Sequence, residues 1–445
     1  MNVLVLLARI LCWISFLFML LTTIKSPPGL LGGMIWFPKL WSSAWSPIFV
    51  LVAFIGAIMA GWAGQYFTLL IGFLTIILGI RHIWVVTREH HQYDNNFGLN
   101  WEDRIPSNMR AKLWKRRYQF IQPSSHCSQK QIDVEIGKSN PIDKPLLCDI
   151  HEPNPGIKRS GMVIIYLHAG AWQAFDKGIL TSSLFDHLCE QGHVILDLAY
   201  SLAPEADLSR MLCDVKQAII WLKAHAEDYQ VNPESIVMMG ASGGAHLALL
   251  TAYAPDHPAF QVMNPDADIS VRAVISLFAV TDMVAYFDEY GLSTKRQPVV
   301  SSDITEDLLP RIYDKTWLDR WMTKTRIFPA YRYGNMPGGA LLLVNLLGGT
   351  LKEVPDIYRQ ASPVFQVHPN CPATLLIYAQ QDFFVNVSHG RRLHEALKLA
   401  GVTSIFLEVP EMVHAFDQGF GVSRRIAPGV QTITYDIERF LALMV

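Results

Sequence analysis

Charge is what this sequence is short of. Only 17% of its 445 residues are Asp, Glu, Lys or Arg, against 51% hydrophobic, where soluble domains carry about 25% charged residues. That balance excludes a disordered chain. With a net charge of −2, it also excludes a nucleic-acid binder working through bulk positive charge. Paired cysteines are missing too. Cys12, Cys127, Cys148, Cys189, Cys213 and Cys371 form no CxxC, so free thiols are the default. Walker A, G-x-G-x-x-G and H-E-x-x-H are absent, and His82, His90 and His91 have no metal-ligand spacing. No cofactor and no metal are implied.

The shortage is local. Residues 1–90 hold Arg9, Lys25, Lys39, Arg81 and Arg88 against Glu89 alone, a balance of +4 that leaves −6 on the remainder. Leu40–Ile80 contains no charge at all. As one helix it would be about 60 Å long, twice the ~30 Å hydrocarbon core, so a hairpin turning near Gly61–Gln65 is expected. About three transmembrane helices follow, near 4–24, 46–63 and 66–86, with Trp13, Trp36, Trp41, Trp45, Trp62 and Trp84 mostly near their ends. A cleaved signal peptide fits the first span poorly, because Arg9 interrupts it and Lys25-Ser-Pro-Pro is not a small-x-small cleavage site. Lys25, Lys39 and the cations from Arg81 to Arg117 fall on one side of a three-span topology, and the 61–65 turn has none. The positive-inside rule then makes a multi-pass membrane protein with its large C-terminal domain in the cytoplasm.

Beyond the anchor (1–90) and a linker (91–130), the pattern becomes strand–helix alternation. Strands are expected at Gln131–Glu135, Pro145–His151, Met162–Leu167, Val194–Leu198, Ser235–Met239, Ala273–Phe278, Ala373–Tyr378 and Ser404–Glu408. Helices are expected near 181–191 and at Ser209–His225, Gly244–Tyr253, Val387–Ala400 and Thr432–Leu443. Repeated βα units imply an α/β fold with a doubly wound, mostly parallel sheet over 131–445. The rhythm breaks over 288–350, which reads as a cap-like insertion.

Gly240-Ala-Ser242-Gly243-Gly244 is a G-x-S-x-G between an expected strand and helix. A tight turn there would project the Ser242 hydroxyl from the top of the sheet, with helix N–H groups beneath it. Some 70 residues earlier, His168-Ala-Gly170-Ala171-Trp172 follows another strand. It resembles the HGGGW loop of the hormone-sensitive-lipase-like branch of the α/β-hydrolases. Asp197-Leu-Ala-Tyr200-Ser-Leu-Ala-Pro204-Glu205 is similar to that branch's DYRLAPE segment. The resemblance covers roughly 130–440. It implies an oxyanion hole built from the N–H groups of Gly170, Ala171 and Gly243. Alanine at 169 and 171 departs from the pattern, and alanine resists positive φ.

The family's order is serine, acid, histidine. Asp382, in Leu375–Val385, resembles the family's acid loop, with Tyr378-Ala379 in place of His-Gly. His414 resembles its histidine loop, following the last strand. Ser242 is therefore expected as nucleophile, His414 as general base then acid, and Asp382 as the group orienting the imidazole. Asp282, Glu408, Glu411 and Asp417 are rival acids. The activity implied is that of a serine carboxylic ester hydrolase on a small-molecule ester, made plausible as lipophilic by the tether to a lipid bilayer. An amidase or formamidase on the same fold, and a non-catalytic hydrolase-like binding module, are the alternatives.

Overall fold

The computed structural model describes residues 3–26, 30–123, 125, 129–139, 144–179, 181–258, 267–291, 338–418 and 425–445. Its N-terminal part is a bundle of α1 (Val3–Thr23), α3 (Ser46–Trp62) and α4 (Tyr66–Thr87), close to the expected spans. Each helix hides one narrow stripe and shows lipid-soluble residues elsewhere. In α1 the hidden residues are Ala8, Cys12, Ser15, Met19 and Thr22, spaced alternately by four and three. In α4 the stripe includes Thr68, Gly72, Thr75, Gly79 and His82. That 3.5-residue period is the seam of supercoiled helices, and small residues let the backbones approach. A Cβ on Gly72 would meet Ala57 Cβ at 2.9 Å, and one on Gly79 would meet Val50 Cγ2 at 2.3 Å. Val3, Phe54, Phe67, Ile77 and Trp84 point outward, exposed.

By length and composition, α1 and the helix beginning at Tyr66 can each cross a membrane. A third span needs a bent pair, Gly32–Ala44 with Ser46–Trp62, angled at 71°. The 17 residues of α3 alone rise about 26 Å, at the short end for a hydrocarbon core. The bend marks a departure from the sequence reading: 25–45 was expected to be a loop, yet Leu30–Ala44 is helical (α2). Pro38 and the Gly32-Gly33 pair depress its helix propensity, so tertiary packing holds it. Arg9 also lies at the 61–65 turn, where it donates to Gln65 Oε1 at 2.7 Å, so one cation belongs to the side expected to carry none.

The C-terminal part carries an eight-stranded sheet in the order β1-β2-β4-β3-β5-β6-β7-β8. The strands are β1 (Gln129–Ser139), β2 (Lys144–Glu152), β3 (Val163–Leu167), β4 (Val194–Ala199), β5 (Ile236–Ala241), β6 (Ala273–Leu277), β7 (Ala373–Ala379) and β8 (Ser404–Val409). Only the β1–β2 and β2–β4 pairings are antiparallel. From β4 through β8 the strands run parallel. β3, β5 and β6 are buried along their whole lengths, as strands covered by helices on both faces must be. This order and these crossovers make an α/β-hydrolase sheet.

The stretch expected to be a linker is docked. Tyr93 donates to the Asp436 carbonyl at 2.6 Å and Arg117 forks onto the Asp436 carboxylate. Both contacts are with the C-terminal helix Pro428–Met444. Burial pushes the Asp436 carboxyl up, but Arg117 and His90 outweigh it and hold it below the usual range. Of the expected insertion 288–350, residues 292–337 lie outside the described residues. Its flanks form helices Met283–Gly291 and Gly338–Leu347, which pack together.

Candidate active site

Strand register brings the site together. Gly240 on β5 pairs with Leu167 on β3 and with Ser276 on β6. The turn after β5 therefore lies between the loop leaving β3 and the one leaving β6. Ser242 sits in that turn at φ +51°, ψ −117°, a conformation that costs about 1–3 kcal/mol and persists only where neighbours enforce it. Its N–H donates to the Leu277 carbonyl at 2.8 Å, and its carbonyl accepts from His246 N–H at 3.0 Å. The flanking glycines are obligatory. A Cβ on Gly240 would lie 2.6 Å from the Gly244 carbonyl carbon, and one on Gly244 would lie 2.2 Å from the Leu167 oxygen.

The Asp382 and His414 loops follow β7 and β8, which are neighbours. They are laced by Gln380 N–H to Val409 O at 3.0 Å and Gln381 N–H to Met412 O at 2.9 Å. Asp382 Oδ1 accepts from the N–H groups of Phe384 and Val385 at 2.8 and 2.9 Å. Its Oδ2 lies 2.7 Å from His414 Nδ1, and His414 Nε2 lies 3.2 Å from Ser242 Oγ. The Asp382 side chain is fully buried and that of His414 is 11% exposed. Phe278 and Phe384 flank the imidazole at ring separations of 4.6 and 5.3 Å.

The rival acids are engaged elsewhere. Asp282 Oδ1 accepts from Ala285 N–H, and Oδ2 lies 3.3 Å from Arg392. Glu408 is held by Arg391, and Glu411 by Arg81 and His82. Asp417 Oδ2 accepts from the Gln418 amide at 2.6 Å.

Gly170, Ala171 and Trp172 all have positive φ, at +137°, +51° and +62°. A Cβ on Gly170 would come within 1.9 Å of the Ala174 oxygen. Ala171 adopts the left-handed conformation despite its methyl group, at a cost of about 1–2 kcal/mol. Ala171 N and Trp172 N lie within 3.4 Å of where a Gly243 Cβ would be, so the two backbones are in contact. Among the described residues, no backbone acceptor stands opposite the N–H groups of Gly170, Ala171 or Gly243.

Several supporting contacts were not foreseen from the sequence. Trp172 donates its indole N–H to His246 Nδ1 at 3.1 Å, and His246 Nε2 then donates to the Ala361 carbonyl at 2.8 Å. Burial lowers the His246 pKa to about 4, so it is neutral, and these two bonds fix its tautomer. Tyr200 donates to the His168 carbonyl at 2.8 Å and stacks on that ring. Asp197, raised to about 7 chiefly by burial, accepts from Gly178 N–H at 2.6 Å. The resemblance to DYRLAPE located Asp197 and Tyr200 but not their partners. A histidine one turn into the helix that follows Ser242 was a findable signal for a contact behind the site. Trp36, on α2, donates to the His414 carbonyl at 3.0 Å, and nothing in sequence spacing linked residues so far apart.

A protein-family profile designated BD-FAE matches residues 148–309. The chain is 26% identical over 311 residues to Esterase LipQ of Mycobacterium tuberculosis, covering 69% of this chain and 62% of that one. With Esterase LipC of the same organism it shares 24% identity over 277 residues, covering 62% and 58%. It thus spans less than two thirds of the length of these curated relatives. Among solved structures, a truncated carbohydrate esterase from gut microbiota superposes with a TM-score of 0.50 at 18% identity, covering 72% of this chain and 99% of that one. That likeness concerns the fold.

Proposed function

We propose that this chain, an α/β-hydrolase, is a membrane-anchored serine hydrolase of carboxylic esters. Ser242 Oγ attacks the ester carbonyl while His414 Nε2 takes its proton. The N–H groups of Gly170, Ala171 and Gly243 stabilise the oxyanion, worth about 3–4 kcal/mol per donor in comparable sites. His414 then protonates the departing alcohol, leaving Ser242 acylated. Water, deprotonated by the same imidazole, releases the acid and restores the serine. Asp382 fixes the imidazole with its proton on Nδ1 and stabilises the cation as it forms.

One observation carries the reading: the hydrogen-bonded chain Ser242–His414–Asp382, at 3.2 and 2.7 Å, on a strained turn. The esterase relatives add weight to the choice of ester over amide. Ser242→Ala in the full-length protein in detergent abolishes both p-nitrophenyl ester turnover and fluorophosphonate labelling. Labelling that survives the change would sink the assignment.

The apolar faces of α1, α3 and α4 support anchorage in a bilayer, and a lipophilic ester as substrate. By the Lys/Arg count the hydrolase part faces the cytoplasm. Protease added to intact cells then spares residues 150–445 and digests them only after lysis.

A further inference from the structure

The anchor and the reaction centre are not separate bodies. α2 lies on the two loops that carry Asp382 and His414. Trp36 Nε1 donates to the carbonyl of His414 itself at 3.0 Å, and its ring meets Phe384 edge-on at 5.1 Å. Phe384 in turn flanks the His414 imidazole. Lys39, one turn on and buried, donates to Gln381 Oε1 and to the Ile24 carbonyl at the end of α1. Ser43, a further turn along, sits 2.8 Å from His82 Nε2 on α4, and His82 Nδ1 lies 2.8 Å from Glu411 Oε2. Glu411 precedes His414 by three residues and is itself at φ +61°. Burial pushes its carboxyl up, but the hydrogen bonds from His82 and Arg81 prevail and hold it below the usual glutamate range.

These contacts fall on residues 381, 384, 411 and 414 of the two loops, and Ser43 adds a bond to Met412 Sδ at 3.2 Å, next but one to His414. A backbone carbonyl accepts a bond from Trp36 only when the loop presents it, so the bond fixes the peptide at His414, and with it the direction of the side chain. We infer that α2, braced on α4 through Ser43, His82 and Glu411, positions the catalytic histidine, with Trp36 as the positioning residue. The inference rests on the Ser242–His414–Asp382 reading above. Trp36 touches no reacting atom; it acts through His414.

The test uses the full-length protein in lipid nanodiscs. Trp36→Phe keeps an aromatic ring against Phe384 and removes the N–H. It lowers kcat roughly tenfold, the rate equivalent of one hydrogen bond, while KM moves by less than about twofold. The rate at which a fluorophosphonate labels Ser242, per folded molecule, falls by the same factor. Glu411→Gln, which keeps a hydrogen-bonding partner for His82 but loses the charge facing Arg81, reproduces the pattern more weakly from the other end of the brace. A merely structural contact gives a different result: fewer folded molecules, each labelled at the wild-type rate. That outcome, or unchanged kcat in Trp36→Phe, overturns the inference while leaving the serine hydrolase reading intact. Wild-type protein that neither labels nor turns over overturns both.

Discussion

A few residues in the site are fixed by atoms less than 3 Å away. Gly170 is one. The Ala174 oxygen occupies the space of its absent side chain, so Gly170→Ala forces the loop open. We expect kcat to fall by about 10²–10³, as when an oxyanion donor is removed, with the melting midpoint little changed. Retained kcat in p-nitrophenyl ester assays would place the oxyanion donors elsewhere. Trp172→Phe acts differently. It strands His246 Nδ1 in the core, and an unpaired buried acceptor costs about 1–3 kcal/mol. Chemical denaturation should register that loss. The serine, aspartate and histidine that the structure brings together, and the glycines beside them, stood out in the sequence because the proposed chemistry needs those residue types in that order. Trp172 was legible as part of its loop, but its pairing with His246 was not. Their bond depends on how the loop after β3 packs on the helix after Ser242, which no local spacing records.

At the scale of elements, the sequence reading succeeded where periodicity was strong. All eight expected strands are present, and each helix expected among the described residues lies within a few residues of its place. It missed α2, whose residues neither alternate nor repeat cleanly, and whose Gly and Pro argue for a loop. α2 is held by α1 and by the loops carrying Asp382 and His414, while Met34 and Phe37 on its remaining side stay exposed. The N-terminal bundle yields a paired test. Gly79→Leu would drive a side chain into Val50 and should collapse the α3–α4 contact, whereas Gly61→Ala meets nothing within 4 Å and should be silent. Thermal denaturation in detergent distinguishes them. Equal midpoints would mean that the small-residue stripe does not hold the bundle together.

The whole molecule carries a pH signature. Burial pushes His151, His193 and His246 down to about 4, 3 and 4, against about 6.5 when unfolded. Between about pH 4 and 6.5 the unfolded chain binds more protons at these sites, so stability rises with pH there. Asp197 has the opposite sign. Its folded pKa of about 7 lies above the unfolded value of about 3.9, so it takes stability away as pH rises through the same window. Three groups outweigh one, and the melting midpoint should fall as pH drops from 6.5 to 4.5. Asp197→Asn should steepen that fall; a flat profile in either protein contradicts the assignment. Composition divides the chain into an apolar N-terminal part and an ordinary remainder, and side-chain contacts cross that division. A fragment of residues 100–445 lacks Trp36, Lys39, Ser43, Arg81 and His82, and leaves Glu411 without its partners. It should show little p-nitrophenyl ester turnover, and wild-type kcat from it would refute the shared architecture.

The bond from Trp36 to the His414 carbonyl spans 378 residues of chain, and this separation has a consequence in time. A ribosome finishes α2 early and reaches His414 only near the end. At about 5–20 residues per second, roughly 20–75 s pass between the two. Throughout that interval the emerging polypeptide already has α1 to α4 but, on the reading proposed above, no base with which to activate its serine. Under the proposed function, synthesis itself therefore delays hydrolysis: the newborn chain stays inert until translation is almost complete.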